Sequence, residues 1–99
     1  MRYAIEYSPE TEHHLSVLAT HQQVIVLDEV DRQLTHEPTV ETRNRKPMRP
    51  NPLAPWELRI GALRAFYDVI ETPEPFVLIH AVGIKIHNRL YIGGEEIQI

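Results

Sequence analysis

An α+β fold is what this sequence predicts: an N-terminal strand, then two helices packed on one face of a small antiparallel sheet of about four strands. Three observations carry that expectation. Trp56, Leu58 and Ile60 alternate with Glu57 and Arg59, the period of a half-buried strand. Leu27, Val30 and Leu34 recur at helical spacing. Phe76-Val-Leu-Ile-His-Ala-Val82 is a nearly continuous apolar run, as in a central strand covered on both faces. The chain's 99 residues make one domain, 1–99, with a single modest core.

From the N-terminus, Arg2 to Tyr7 reads as a short strand with Tyr3, Ile5 and Tyr7 on one face. Ser8 offers an N-cap, Pro9 suits the first helical position, and Glu10 and Glu12 suit the positive end of the helix. A helix from about Pro9 to Ala19 buries Leu15 and Leu18, with Thr11 and His14 on the same side. Thr20-His-Gln-Gln23 is a fresh capping-box pattern and breaks the segment in two. In the second helix, Val24-Ile25-Val26 is β-branched and locally favours a strand. The helical spacing of Leu27, Val30 and Leu34, with Asp28 and Arg32 paired at i,i+4, overrides it. Pro38 supplies the stop.

Residues 38–55 hold five of the eight prolines and read as one extended loop. Net charge is −4, but it is unevenly spread. Residues 1–42 carry two basic and eight acidic side chains, a balance of −6, whereas residues 43–99 carry eight and six, a balance of +2. Arg43, Arg45, Lys46 and Arg49 fall within seven positions without an acid. Such asymmetry suggests a polyanion-facing side and a solvated back.

Gly61-Ala62 follows the first hairpin strand, and glycine at the first central position suits a two-residue II′ turn. Counting from that turn pairs Ile60 with Leu63, Arg59 with Arg64, Leu58 with Ala65 and Glu57 with Phe66. Two arginines then stand opposite each other, where like charges repel, and an anion between them relieves the conflict. Beyond Pro73 and Pro75, Lys85-Ile-His87 and Leu90-Tyr-Ile92 continue the alternation. The helices cover one sheet face, and the arginines lie on the other, which is left open.

Trp56-Glu-Leu-Arg-Ile-Gly61, Arg64, Phe66-Tyr-Asp-Val69, Ile79-His-Ala-Val-Gly-Ile-Lys85 and Asn88-Arg-Leu-Tyr-Ile-Gly-Gly94 resemble, in order and spacing, the RelE/ParE superfamily of bacterial toxins. The resemblance spans most of the chain, including the strand–helix–helix order of its first half. It implies a RelE/ParE-like fold and a cognate antitoxin protein as partner. One branch of the superfamily cleaves messenger RNA on the ribosome, and another poisons DNA gyrase. In the ribonuclease branch, lysines and arginines on the sheet face and a tyrosine near the C-terminus do the chemistry. By that resemblance Arg59 and Arg64 take basic positions, Lys85 lies in a segment supplying a further basic residue, and Tyr91 falls near the family tyrosine. Glu57 departs from the pattern, standing where the family has its first basic residue.

Cleavage by internal attack of the 2′-hydroxyl needs a base, an acid for the leaving oxygen and positive charge on the phosphate. Arg59 and Arg64 suit the phosphate, since guanidinium binds it in bidentate fashion. Glu57 reads either as the residue that neutralises the arginine pair or as a general base. His87, on the strand face of Lys85, suits acid–base work near neutral pH. His80, inside the apolar run, reads as a buried, hydrogen-bonded residue, and Trp56 as core. Arg43, Arg45, Lys46 and Arg49 read as an RNA-binding loop. No cysteine is present, and no histidine pair has a zinc spacing with a third ligand, so neither metal nor cofactor is expected. Without a long apolar run or a signal-peptide core, a soluble cytoplasmic protein with no membrane partner is expected. Three functions follow: an endoribonuclease acting on messenger RNA, with the ribosome as further partner; a non-enzymatic gyrase inhibitor; or a toxin fold kept only to bind its antitoxin.

Overall fold

A computed structural model describes residues 2–99. The elements run β1 (Ala4–Tyr7), α1 (Glu10–Ser16), α2 (Thr20–Leu34), β2 (Arg45–Pro47), β3 (Trp56–Ile60), β4 (Leu63–Ile70), β5 (Phe76–Ile86), β6 (Arg89–Ile92) and β7 (Glu95–Ile97). Among the described residues the sheet has seven strands rather than about four, in the order β2-β3-β4-β5-β6-β7 with β1 beside β5. β1 joins it in parallel, pairing Ala4–Tyr7 with Phe76–Ile79. β6 pairs antiparallel with the other end of β5, from Gly83 to Ile86. The eleven-residue β5 is thus the spine of the domain.

The helical break lies where the sequence placed it, with different caps. Ser8 does not cap α1 through its side chain; its hydroxyl donates to the His80 carbonyl at 3.1 Å. Its carbonyl instead accepts from the Thr11 amide at 3.1 Å and the Thr11 hydroxyl at 2.6 Å. α1 stops at Ser16, short of Ala19. The capping pair of α2 lies one residue earlier than expected, at Ala19 and Gln22: Gln22 Oε1 reaches back to accept from the Ala19 amide at 3.0 Å. The expected Asp28–Arg32 pair gives way to Arg32 and Glu29, at 2.6 Å. Val24–Val26 is helical, but the buried stripe is Val26, Val30 and Leu34: Leu27, expected on it, is exposed, and β-branched Val26 takes its place.

That stripe packs on Leu58, Ala65, Tyr67, Val77, Ile79 and Val82, with Ile5, Tyr7, Leu15 and Leu18 at the margin. Each fully buried large aliphatic side chain contributes about 1.5–3 kcal/mol. Trp56 lies at this margin and stacks on Tyr67, their centroids 6.1 Å apart, so it belongs to the core. The Tyr67 hydroxyl donates to the Pro38 carbonyl at 2.6 Å, tying the segment after α2 to the sheet.

The opposite face is not left open. Leu53 and Ala54, from the proline-rich segment, fold over Phe66, Ala81, Leu90 and Ile92 as a second, smaller core with Met48 and Ile97. Asn51 braces this segment: its Oδ1 accepts from the Leu53 and Ala54 amides, and its Nδ2 donates to the Arg49 and Ala54 carbonyls. Residues 38–55 are therefore not one extended loop. Part of the segment is strand β2, and part is a cover.

The hairpin turn has the φ expected of type II′, +59° at Gly61, and all four counted pairs hold. A register shift at Phe66/Tyr67 leaves His80 as the extra residue of β5. His80 is half-buried, and its carbonyl accepts from the Ser8 hydroxyl. At Gly83 an added Cβ would lie 2.6 Å from the Tyr91 carbonyl oxygen, so β6 can approach β5 there only because glycine has no side chain.

Candidate functional site

Alternation along β3 turns Leu58 into the main core and Glu57 and Arg59 to the other face. The hairpin sets Arg64 opposite Arg59 on that face. β2 adds Lys46 directly across from Glu57, and β5 adds Lys85. Two arginines therefore meet the Glu57 carboxylate, and two lysines share its face. Glu57 Oε1 accepts from Arg59 Nε at 2.8 Å, and Oε2 lies 3.6 Å from Arg64 Nε. Side-chain exposure is 10% for Glu57 and 13% for Arg64, against 49% for Arg59. Arg64 is thus the fixed member of the pair and Arg59 the one free to meet a ligand.

Arg64 is anchored beyond the ion pair, because its Nη1 donates to the Gly61 carbonyl at 2.6 Å and the Leu63 carbonyl at 2.9 Å. Its Nε is buried without a hydrogen-bond partner among the described residues. Burial lowers the pKa of its guanidinium, Glu57 pulls it back up and Arg59 lowers it again. The group remains a cation at any ordinary pH. Chemically, this is a face on which an anion meets fixed positive charge, with one carboxylate in its midst.

The other candidates separate. Tyr91 does not join the arginines: it pairs with Ile84, which packs toward the helices, and so it faces the helical side. There it lines a groove of about 210 Å³ with His14, Val17, Leu18 and Ile84. Leu90, one residue earlier, takes the position toward Lys85. His87 does not continue the strand of Lys85. With Asn88 it forms the two-residue turn between β5 and β6, at φ +51° and +65°, where its side chain is exposed.

The basic cluster also divides. Arg45 is a structural residue, since its Nε donates to the Val40 carbonyl at 2.9 Å and its Nη1 to the Gln33 carbonyl at 2.8 Å. Those bonds hold the chain after α2 against β2. Lys46 lies at the site face, 3.4 Å from Glu41 in a surface ion pair. Arg43 and Arg49 are exposed.

Beside Glu57 and Lys85 opens a cavity of about 290 Å³, further lined by Asn88, Leu90, Ile97 and Gln98. Sequence reasoning missed this cavity, because it is closed by β7 and by a pairing of Leu90 with Ile97 that no local pattern announces. It also missed that Lys46 stands across from Glu57, a contact only the β2–β3 register creates. Among the described residues no three His, Cys, Asp or Glu side chains cluster as metal ligands, and no helix is long and apolar enough to cross a membrane.

No protein-family model and no curated protein matches this chain. Among solved structures, it is similar to a chain of the toxin–antitoxin complex RelBE2 from Mycobacterium tuberculosis, with a TM-score of 0.68 at 22% identity. The match covers 86% of this chain and all of that one. The likeness shows the fold: this chain folds as that chain of the RelBE2 complex does.

Proposed function

We propose that this chain is the toxin of a toxin–antitoxin pair and acts as an endoribonuclease on messenger RNA, with the ribosome presenting the substrate. One observation carries the reading: Lys46, Arg59, Arg64 and Lys85 share one sheet face with the carboxylate of Glu57, which the two arginines meet. That face meets the needs of internal phosphodiester transfer. The 2′-oxygen attacks phosphorus and passes its proton to Glu57. Arg59 and Arg64 hold the charge that builds on the non-bridging oxygens. The phosphorus–O5′ bond breaks, and the Lys85 ammonium protonates the leaving oxygen. The products are a 2′,3′-cyclic phosphate and a 5′-hydroxyl end. Arg43 and Arg49 add affinity for the RNA backbone without taking part in the step. The partner that silences the toxin is a cognate antitoxin protein laid across it, in the cytoplasm.

A non-enzymatic reading is favoured by the same carboxylate. Glu57 sits against both arginines, as a structural counterion would, and this suits a gyrase inhibitor or an antitoxin-binding module. Induction in cells separates the readings: discrete cuts in messenger RNA support the nuclease. Intact messages with DNA damage support gyrase, and harmless expression supports a binding module.

A further inference from the structure

The cavity between β3, β5 and the β6–β7 hairpin differs in chemistry from the arginine face beside it. Its floor includes Leu90 and Ile97, which are cross-strand partners in the second core. Around them stand two cations, Lys85 and Arg89, two carboxylates, Glu57 and Glu96, and the amides of Asn88 and Gln98; Arg89 lies 3.6 Å from Glu96, and Gln98 Nε2 donates to Glu96 at 3.2 Å. Two cations balanced by two carboxylates leave no net positive charge here for a phosphate, which is better held by the arginine face outside it. An uncharged planar group suits it: its faces rest on aliphatic surface, and its edge meets amides that both donate and accept. The volume, about 290 Å³, equals that of roughly ten waters at ~30 Å³ each, enough for one nucleobase.

We infer that this cavity is a nucleobase subsite, receiving the unpaired base next to the cleaved phosphate and reading its edge through Asn88 and Gln98. The inference rests on the nuclease reading for its place in the reaction. It does not depend on that reading for binding itself. A base in the cavity places its own phosphate within the charged face, because Glu57 and Lys85 line both. Sequence preference is then set by the edge of one base, while the arginines treat every phosphate alike.

The test uses the full chain and four neutral nucleosides, adenosine, guanosine, cytidine and uridine, followed by methyl NMR. At least one nucleoside is expected to shift the Leu90 and Ile97 methyl signals saturably. Inorganic phosphate is expected to move the arginine Nε signals and leave those methyls unchanged. Gln98→Ala lies outside any strand, and Asn88→Gly suits the left-handed turn, so both are expected to fold. Each should weaken nucleoside binding at least several-fold and alter the base found beside the cut. No methyl shift with any nucleoside, or shifts of equal strength in both variants, overturns the subsite. Methyl shifts seen only on adding an antitoxin protein also overturn it and assign the cavity to protein contact. If nucleosides bind but RNA is never cut, the subsite stands and the nuclease reading fails. Identical cut sites in wild type and both variants overturn the specificity role.

Discussion

Removing the charge of Glu57 while keeping its shape, as in Glu57→Gln, separates the two roles its geometry allows. The carboxylate accepts a charge-assisted hydrogen bond from Arg59 at 2.8 Å and lies 3.6 Å from Arg64. A hydrogen bond to a charged group contributes about 1.5–3 kcal/mol, and half-exposure of Arg59 reduces this to ~1 kcal/mol. The arginines then face each other without an anion, which costs up to ~1 kcal/mol more. Stability should fall by about 2 kcal/mol, or roughly 8–16 °C in Tm for a domain of this size. Inorganic phosphate should restore more of that loss in the variant than it adds to the wild type, because it replaces the missing anion. RNA should bind more tightly, with the slope of log K against log salt steeper by about 0.7 if one more phosphate contact forms. Cleavage should nevertheless fall by about 10²–10⁴-fold if Glu57 takes the 2′-hydroxyl proton. Thermal melts with and without phosphate, filter binding across salt and RNA cleavage on one preparation measure all four. Unchanged Tm together with wild-type cleavage would refute the reasoning, since Glu57 would then neither hold the arginines nor accept the proton.

The two arginines should respond differently. Arg64→Ala loses the anchoring of the Gly61 and Leu63 carbonyls and should cost about 1–2 kcal/mol of stability. Arg59→Ala, on a half-exposed side chain, should stay within ~1 kcal/mol. Both should slow cleavage by roughly 30- to 1,000-fold, and equal stability losses would contradict the assignment of Arg64 as the anchored member. Arg45→Ala should destabilise by about 1–2 kcal/mol and leave the salt slope of RNA binding unchanged, whereas Arg43→Ala or Arg49→Ala should lower that slope by about 0.7 each. A reversed pattern in denaturation and binding would place Arg45 on the RNA. His14 Nδ1 accepts from the Val82 amide at 3.3 Å, and burial, then the His13 charge, lowers its pKa, with Glu10 opposing. The unfolded chain therefore binds more protons than the folded one as pH falls below about 6.5, so this stability is present above that pH and lost beneath it. Denaturation midpoints in His14→Gln should show a shallower decline there, and an unchanged decline would remove His14 from the account.

Where local pattern determines structure, the sequence was sufficient. The Gly61-Ala62 turn sets the β3–β4 register, so the Arg59–Arg64 pair followed by counting from one glycine. The helical stripe of α2 outweighed three β-branched residues because burial against the sheet is a larger effect than propensity. Non-local pairings stayed hidden. β2 and β7 are three-residue strands that exist only through their neighbours, and the partner of Glu57, Lys46, belongs to one of them. Tyr91 was misplaced by a single residue, which in a strand is a change of face. His87 continues the apparent alternation of β5, but His87 and Asn88 adopt positive φ and end the strand. The cover over Phe66 comes from a segment whose prolines hid its Leu53 and Ala54 anchors.

The most direct measurement incubates the purified chain with programmed ribosomes and maps the ends of the messenger RNA chemically. The account predicts cuts that leave a 2′,3′-cyclic phosphate and a 5′-hydroxyl, lost in Arg59→Ala and Glu57→Gln but retained in Tyr91→Phe. Intact messenger RNA, or cuts that disappear in Tyr91→Phe and persist in the other two, would contradict it.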